Sequence, residues 1–271
     1  MDKVDASIKF AHRAVETKYE DLSERDVNIA KLSFLDTIGV ILAASTLGDK
    51  CIGIVEDLKE QGGKKEASVL AFGGKLPAPL AAEANGAMAH ALDYDDATGR
   101  GGVHPSGATV PTSIALMEKY GILNGKDLIT AIVVGNDLNL RLGLASPSMN
   151  KVYATFAPLT LAIYAAAIAG GKILGLTKDQ MVNCLGIAHF QACGSARIMI
   201  EGDCDQRELY QYFAAQAGVL SAEWAKKGIR GIKQCFESHG GLYDIFAKGD
   251  YDPSYLDINP DNPFLMDEIC F

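Results

Sequence analysis

Apolar positions recur at helical spacing through nearly the whole chain. Asp5 to Val15 predicts a first helix. Glu24 to Leu42 predicts a second, with Ser23 as its N-cap and Asp26 three positions on. In it Val27, Ala30, Leu32, Phe34, Leu35 and Ile38 form a broad apolar stripe, the pattern of a buried face. Thr46-Leu47-Gly48-Asp49 breaks this helix, Cys51 to Glu60 resumes, and Gln61-Gly62-Gly63-Lys64-Lys65 is a turn. Ala67 to Phe72 is a short apolar run of strand length. Pro77 then opens a helix, where its missing N–H is harmless, and Ala78 to Leu92 continues it with Glu83, Asn85 and His90 as polar exceptions. Further helices are expected from Val110-Pro111 to Tyr120, from Leu128 to Leu142 behind the cap Asn124-Gly125-Lys126-Asp127, and from about Ala154 to Gly170. Two more run from Thr177 to Ser195, with Thr177 and Gln180 as a capping box, and from Glu208 to Lys227. No period-two strand series and no alternation of strand and helix is present, which excludes a Rossmann or barrel fold. The expected class is all-α, with residues 1–249 as the helical domain. From Asp250 the texture changes: three of the nine prolines fall in the last 22 residues, so 250–271 is expected to be a linker or the start of another domain.

Composition narrows the function classes. The 271 residues carry 25 Lys plus Arg against 34 Asp plus Glu, a formal charge of -9, and no long basic face, so no nucleic-acid partner is expected. Charged residues are only 22% and apolar residues 48%, which excludes a disordered chain and argues for surface hidden against another chain or domain. The opening is acidic and polar rather than a secretory leader. The most apolar stretch, Ala154 to Ala169, is short for a bilayer span and reads as a buried helix, so no membrane partner is expected. Six scattered cysteines form no CxxC or zinc spacing, consistent with reduced thiols in the cytoplasm.

Most nucleotide and hydrolase motifs are missing: there is no GxGxxG after a strand, no GxxxxGKS or GxxxxGKT, no HExxH and no GxSxG. The informative segment is His90-Ala91-Leu92-Asp93-Tyr94-Asp95-Asp96, followed by a glycine-rich loop to His104-Pro105-Ser106. If the helix continues to Asp93, His90 and Asp93 are neighbours on one face. Three carboxylates this close repel one another unless a cation or N–H groups compensate, and Arg100 is a local candidate. Three readings stay open on spacing alone. His104 could carry a proton, with Asp93 fixing its tautomer. The group could hold a divalent metal through His90, Asp93 and His104. Or it is a solvated acidic helix end. Arg207, at a helix start, could grip a carboxylate or make a local ion pair. His12, His189 and His239 read as packing or surface histidines.

Asn85-Gly86, His90 to Asp96 and His104-Pro105-Ser106 together resemble the MmgE/PrpD family signature. Leu35 to Val40, Gly125 to Gly135 with Arg141, Lys172 to Leu176 and Gly218 to Gly228 match in order. The resemblance implies a large helical domain and a smaller α/β lid domain, which is absent or truncated here. It implies a homodimer handling small di- or tricarboxylic acids with neither metal nor organic cofactor. The family aspartate falls on Asp93 and its loop histidine on His104. The threonine of the family decarboxylase is replaced by Ala97, with Thr98 one position on. A second histidine falls near Phe156, and a site lysine falls on Arg207; the last family histidine would lie beyond Phe271.

The expected activity is therefore a hydro-lyase acting on a small polycarboxylate such as a citrate or methylcitrate analogue. His104 and Asp93 are its catalytic pair, and Arg207, Arg100, Asn85 and Ser106 its substrate contacts. The alternatives are a decarboxylase or epimerase of a small dicarboxylate, a metal-dependent hydrolase, and an incomplete helical subunit that needs a further chain to supply the lid.

Overall fold

A computed structural model describes residues 4–149, 154–201, 203–258 and 262–271. The residues Gly202 and 259–261, which fall in the Arg207 approach and in the tail, lie outside the described residues, as do 150–153 ahead of Phe156.

Helices follow the polar and apolar pattern closely. They are α1 Ala6–Glu16, α2 Glu24–Leu47, α3 Asp49–Gln61, α4 Ala78–His90, α5 Ser106–Tyr120 and α6 Gly125–Ala145. After these come α7 Ala157–Ile173, α8 Lys178–His189, α9 Gln206–Leu209, α10 Gln211–Lys226 and α11 Leu242–Ala247. Among the described residues the fold is all-α apart from the two-residue antiparallel pair β1 Ala67–Ser68 and β2 Lys75–Leu76. The longer strand expected to Phe72 is cut short because Ala71, Gly73 and Gly74 take positive φ and turn the chain back.

The caps explain the boundaries. Ser23 with Asp26 and Thr177 with Gln180 both form reciprocal capping boxes, and the Asn124 side chain accepts from Lys126 N–H. Helix α5 starts at Ser106, four residues ahead of the expected start, with Pro111 inside it. The reason is a distant cap: Ser106 N–H donates to Asp96 Oδ1 at 3.0 Å, satisfying one of the free donors of the first turn.

The centre of the molecule is α7, whose residues are buried on every side, packed between α5, α6, α8 and α10. A helix apolar all round belongs in a core. By length and composition α2 and α6 could cross a membrane, yet 89% of the apolar window of α6 is buried within the fold. Helix α2 corrects the stripe expected from its sequence. Its inner face is Val27, Ala30, Ser33, Thr37, Val40, Ile41 and Ala44, whereas Leu32 and Leu35 are 50% and 66% exposed. The inner face meets alanine-rich α4, where small and hydroxyl side chains fit, so the large leucines are turned outward.

The described part of the tail lies against the helical body. Arg141, ion-paired with Asp137 in the interior of α6, donates to the carbonyls of Tyr255 and Pro263, and Leu265 N–H donates to Asp137 Oδ1. Met266 and Ile269 join a small apolar cluster with Ala30, Val110, Ile132, Val133 and Leu140. Cys270 pairs with Ala97 through both backbone hydrogen bonds. All six cysteines are free, and Cys51, Cys184 and Cys235 are buried.

Candidate acid–base site

The site forms where α4 ends. Asp93 N–H donates to the His90 carbonyl, and Asp93 then takes φ +55°, the left-handed region that aspartate tolerates better than most side chains. That turn sends the chain back, so Asp93 and Asp95 flank one imidazole. His90 Nδ1 is 2.7 Å from Asp95 Oδ1, and His90 Nε2 is 3.7 Å from Asp93 Oδ1.

Beyond Asp96 the chain makes a tight loop. Thr98 N–H donates to Val103 O, Gly102 N–H to Thr98 O, and Gly101 lies so close to Gly143 of α6 that a Cβ on Gly143 would sit 2.9 Å from the Gly101 carbonyl. The loop brings His104 back to the start of the segment. Its ring stands edge-on to His90 with centroids 4.6 Å apart, and its Nδ1 is 3.4 Å from the same Asp95 oxygen. Tyr210, at the head of α10, closes the far side, 4.5 Å from the His90 ring centroid and 4.9 Å from that of Phe156. Arg207 on α9 reaches Asp93 Oδ2 at 2.9 Å.

Burial and charge set the protonation states. Burial pushes Asp95 upward, but its contacts with His104 and His90 outweigh this and hold it down at about 2. Burial also opposes the charged form of His104; the contact with Asp95 and the charges of Asp95, Asp93 and Asp96 overcome it and raise the imidazole above its ordinary value. Asp96 is pushed up to about 7, chiefly by complete burial, with the nearby Asp95 charge adding to the effect and Ser106 opposing it. The cluster thus combines an ionised carboxylate, an imidazole biased toward its protonated form, and an arginine at the rim. His104 and Asp93 keep partial access to solvent, at 21% and 40% side-chain exposure, whereas His90 and Asp95 have almost none.

The expected site residues do not all converge. Asp93, His104 and Arg207 come together, but Asp95 rather than Asp93 faces His104 Nδ1, because the left-handed turn points Asp93 at His90 and Arg207. Asn85 is spent elsewhere: it accepts from Leu70 N–H and donates to Ser68 O, tying α4 to the β1 turn. The Ser106 hydroxyl donates to Asp96 at 2.5 Å and accepts from Asn136 Nδ2. Arg100 is ion-paired with Glu268 of the tail. Asp95 and Tyr210 are the members of the cluster that the sequence reading gave no role, and His90 entered it only as a possible metal ligand. His189 is held by Tyr164 OH and Gly240 O, and His239 is exposed beside Asp244.

His90, Asp93, Asp95 and His104 place one ligand-type atom each within 4.8 Å, so the donor set has the chemistry for a divalent cation. A cavity of about 510 Å³ shares Tyr210 with the cluster and is also lined by Leu159, Arg197, Tyr212 and Phe213. A larger cavity of about 780 Å³, between α1, the start of α2 and the tail, shares no residue with the cluster.

Comparison with known proteins places the chain in a family. Residues 8–254 match the MmgE/PrpD N-terminal domain, and the chain belongs to the MmgE/PrpD family. The cis-aconitate decarboxylase of Aspergillus terreus is 33% identical over 189 residues, which is 67% of this chain and 38% of that protein. The human cis-aconitate decarboxylase is 30% identical over 72% of this chain and 40% of its own length. The cis-aconitate decarboxylase-like protein oryM of Aspergillus oryzae is 28% identical over 244 residues, 86% of this chain and 50% of that protein. The chain therefore spans half or less of the length of these relatives.

Proposed function

We propose that the chain carries the proton-transfer half of a lyase site for a small di- or tricarboxylic acid, with His104 as the proton carrier. The observation that carries this reading is the His104 imidazole held against the buried, ionised Asp95 while one edge stays open beside Asp93 and Arg207. In dehydration a base removes the proton alpha to a carboxylate, the electron pair forms the double bond, and the hydroxyl leaves as water after protonation. His104 Nε2 serves as the acid or the base, and the Arg207 guanidinium holds a substrate carboxylate.

Decarboxylation is the second reading, favoured by the names of the relatives and by the imidazolium bias of His104. There the carbon–carboxylate electron pair is left on carbon as CO2 departs, and the carbon takes one proton from His104. The two chemistries separate in one experiment. The protein, with any chain that copurifies, is incubated with citrate, methylcitrate or cis-aconitate in D2O, following water loss by ultraviolet absorbance and CO2 directly. Turnover that survives His104→Gln would overturn the assignment of the proton carrier. Activity lost on chelation and restored by zinc, magnesium or manganese would instead make the His90, Asp93, Asp95 and His104 cluster a metal site.

The same proposal includes a homodimer in the cytoplasm and a lid supplied outside these residues. The outward leucines of α2 support a covered face, and the six free thiols suit a reducing compartment. Light scattering on the purified protein tests the dimer: a monomer at micromolar concentration would remove it.

A further inference from the structure

We infer that Asp96 is a positioning residue, whose buried carboxylate clamps the two ends of the 97–105 loop and so sets the Asp95–His104 distance. The inference rests on the reading of His104 as the proton carrier.

Asp96 is 1% exposed and receives three hydrogen bonds. Ser33 Oγ on α2 donates to Oδ2 at 2.9 Å, Ser106 Oγ at the start of α5 donates to Oδ2 at 2.5 Å, and Ser106 N–H donates to Oδ1 at 3.0 Å. The backbone N–H of Asp96 donates to Asp36 Oδ2 at 3.0 Å, a second tie to α2. Ser106 Oγ in turn accepts from Asn136 Nδ2 of α6 at 2.8 Å, and Asn136 Oδ1 accepts from Thr109 Oγ1 at 2.8 Å. One carboxylate therefore joins α2 and α5 directly, and α6 through Ser106 and Asn136. The two residues that face each other across the loop mouth are adjacent to this clamp: Asp95 precedes Asp96, and His104 precedes Ser106 by two positions. The Asp96–Ser106 bonds hold the backbone positions from which these two side chains extend. That matters because the Asp95–His104 contact is already long, at 3.4 Å, and His90 competes for the same oxygen at 2.7 Å. His104 Nδ1 makes no hydrogen bond, so this ion-pair contact is what biases its tautomer, and small displacements would hand Asp95 entirely to His90.

A residue that merely stabilises the fold would change the melting temperature and the yield of folded protein. A positioning residue changes the state of His104 in molecules that are folded. The test uses Asp96→Asn and Ser106→Ala in the full chain, each checked for folding by circular dichroism. The first readout is the 15N spectrum of the His104 imidazole at alkaline pH, assigned with His104→Gln, which needs no substrate. We expect the wild type to show the proton on Nδ1, and both variants to show a mixture of tautomers. The second readout is steady-state kinetics, with kcat expected to fall roughly 10- to 100-fold and KM to change less than about twofold. Ser106→Ala keeps the backbone bond to Asp96 and carries the test should Asp96→Asn fail to fold. A folded variant whose His104 spectrum matches the wild type overturns the proposal. A changed spectrum in a protein that turns over no polycarboxylate supports the positioning role and refutes the lyase reading instead.

Discussion

Asp95 Oδ1 stands 2.7 Å from His90 Nδ1, inside the protein and out of reach of solvent. The same oxygen is 3.4 Å from His104, so one carboxylate orients a buried imidazole and an accessible one. Against the effect of burial, the contact with Asp95 and its charge, helped by the charges of Asp93 and Asp96, lift His104 above its ordinary value.

Replacing Asp95 by Asn removes that charge and keeps the shape. With Asp95 gone, desolvation dominates and the His104 pKa should fall below that of the wild type, so the imidazolium disappears at lower pH. The sign is testable by NMR titration of His104 and by the pH dependence of kcat. Activity should drop by about 100-fold, in the range a positioned acid or base contributes. If His104 titrates as in the wild type, its charge does not depend on Asp95.

Arg207 uses one guanidinium nitrogen on Asp93 and is only half-buried, as Asp93 is. Such a pair contributes well under 1 kcal/mol to stability, whereas a bound carboxylate would engage the rest of the fork. Arg207→Met should therefore leave the melting temperature within a degree or two but raise KM about 10- to 100-fold. Arg207→Lys should recover part of the loss, since it keeps the charge but not the two-pronged geometry. A large drop in melting temperature with KM unchanged would make Arg207 a structural residue.

How much of this was legible before the structure differs by level. Helices were, because Ser23, Asn124 and Thr177 announce their own starts and the helical spacing of apolar residues is a local signal. The gathering of Asp93, His104 and Arg207 rested on the family resemblance, and the structure brings them together. The orientation of the acids was not legible. A continuing helix made Asp93 a neighbour of His90, and Asp93 as the partner of His104 was one of three readings open on spacing; the left-handed turn at Asp93 keeps it beside His90 and Arg207 and leaves Asp95 to face His104. Asn85 and Ser106 carry polar side chains in the signature, yet their partners, Leu70, Ser68, Asp96 and Asn136, lie far enough along the chain that only the packing reveals them. The outer leucines of α2 misled for the complementary reason: hydrophobicity marks a face that wants cover, and does not say which neighbour supplies it.

Stability should depend on pH through the same cluster. Asp96 is raised from 3.8 unfolded to about 7 folded, so between these values the folded chain holds a proton that the unfolded chain has lost. Its contribution favours folding at low pH and is withdrawn as pH rises toward 7, by on the order of 2–4 kcal/mol. His104, also raised, acts in the same direction, with stability lost as pH rises through its folded pKa. Asp95, lowered to about 2, acts oppositely and is lost only in acid, as pH falls from near 3.8. Denaturation by urea from pH 5 to 8 should show stability declining in the wild type and a shallower decline in Asp96→Asn, which retains the shares of His104 and of Glu83, a carboxyl that burial also raises to about 7. An unchanged slope would mean that Asp96 is ionised throughout.

Helix packing bears on the chemistry at Gly86. Gly86 lies one turn before His90 on α4, where α10 begins. A Cβ added there would meet Gln211 O at 2.8 Å and Ala215 Cβ at 3.0 Å. The carbonyl is backbone and cannot rotate away, so Gly86→Ala has to push α4 and the head of α10 apart. Overpacking of this kind costs about 1–3 kcal/mol. The displaced end of α10 carries Tyr210, whose ring supports His90, and Arg207 precedes it by one turn. Activity should therefore fall by more than the loss of folded protein explains, with both kcat and KM affected. Gly39→Ala is the control: it is also in a helix, α2, but no atom lies within 4 Å of the added carbon, so it should stabilise the protein by up to about 1 kcal/mol and leave kinetics unchanged. Ala215→Gly in the Gly86→Ala background should restore only part of the stability, because it clears the methyl contact and leaves the carbonyl clash in place. Full recovery of stability and activity by that second substitution would show that α10 meets α4 through side chains alone at this point, and that Tyr210 is not moved by the wedge.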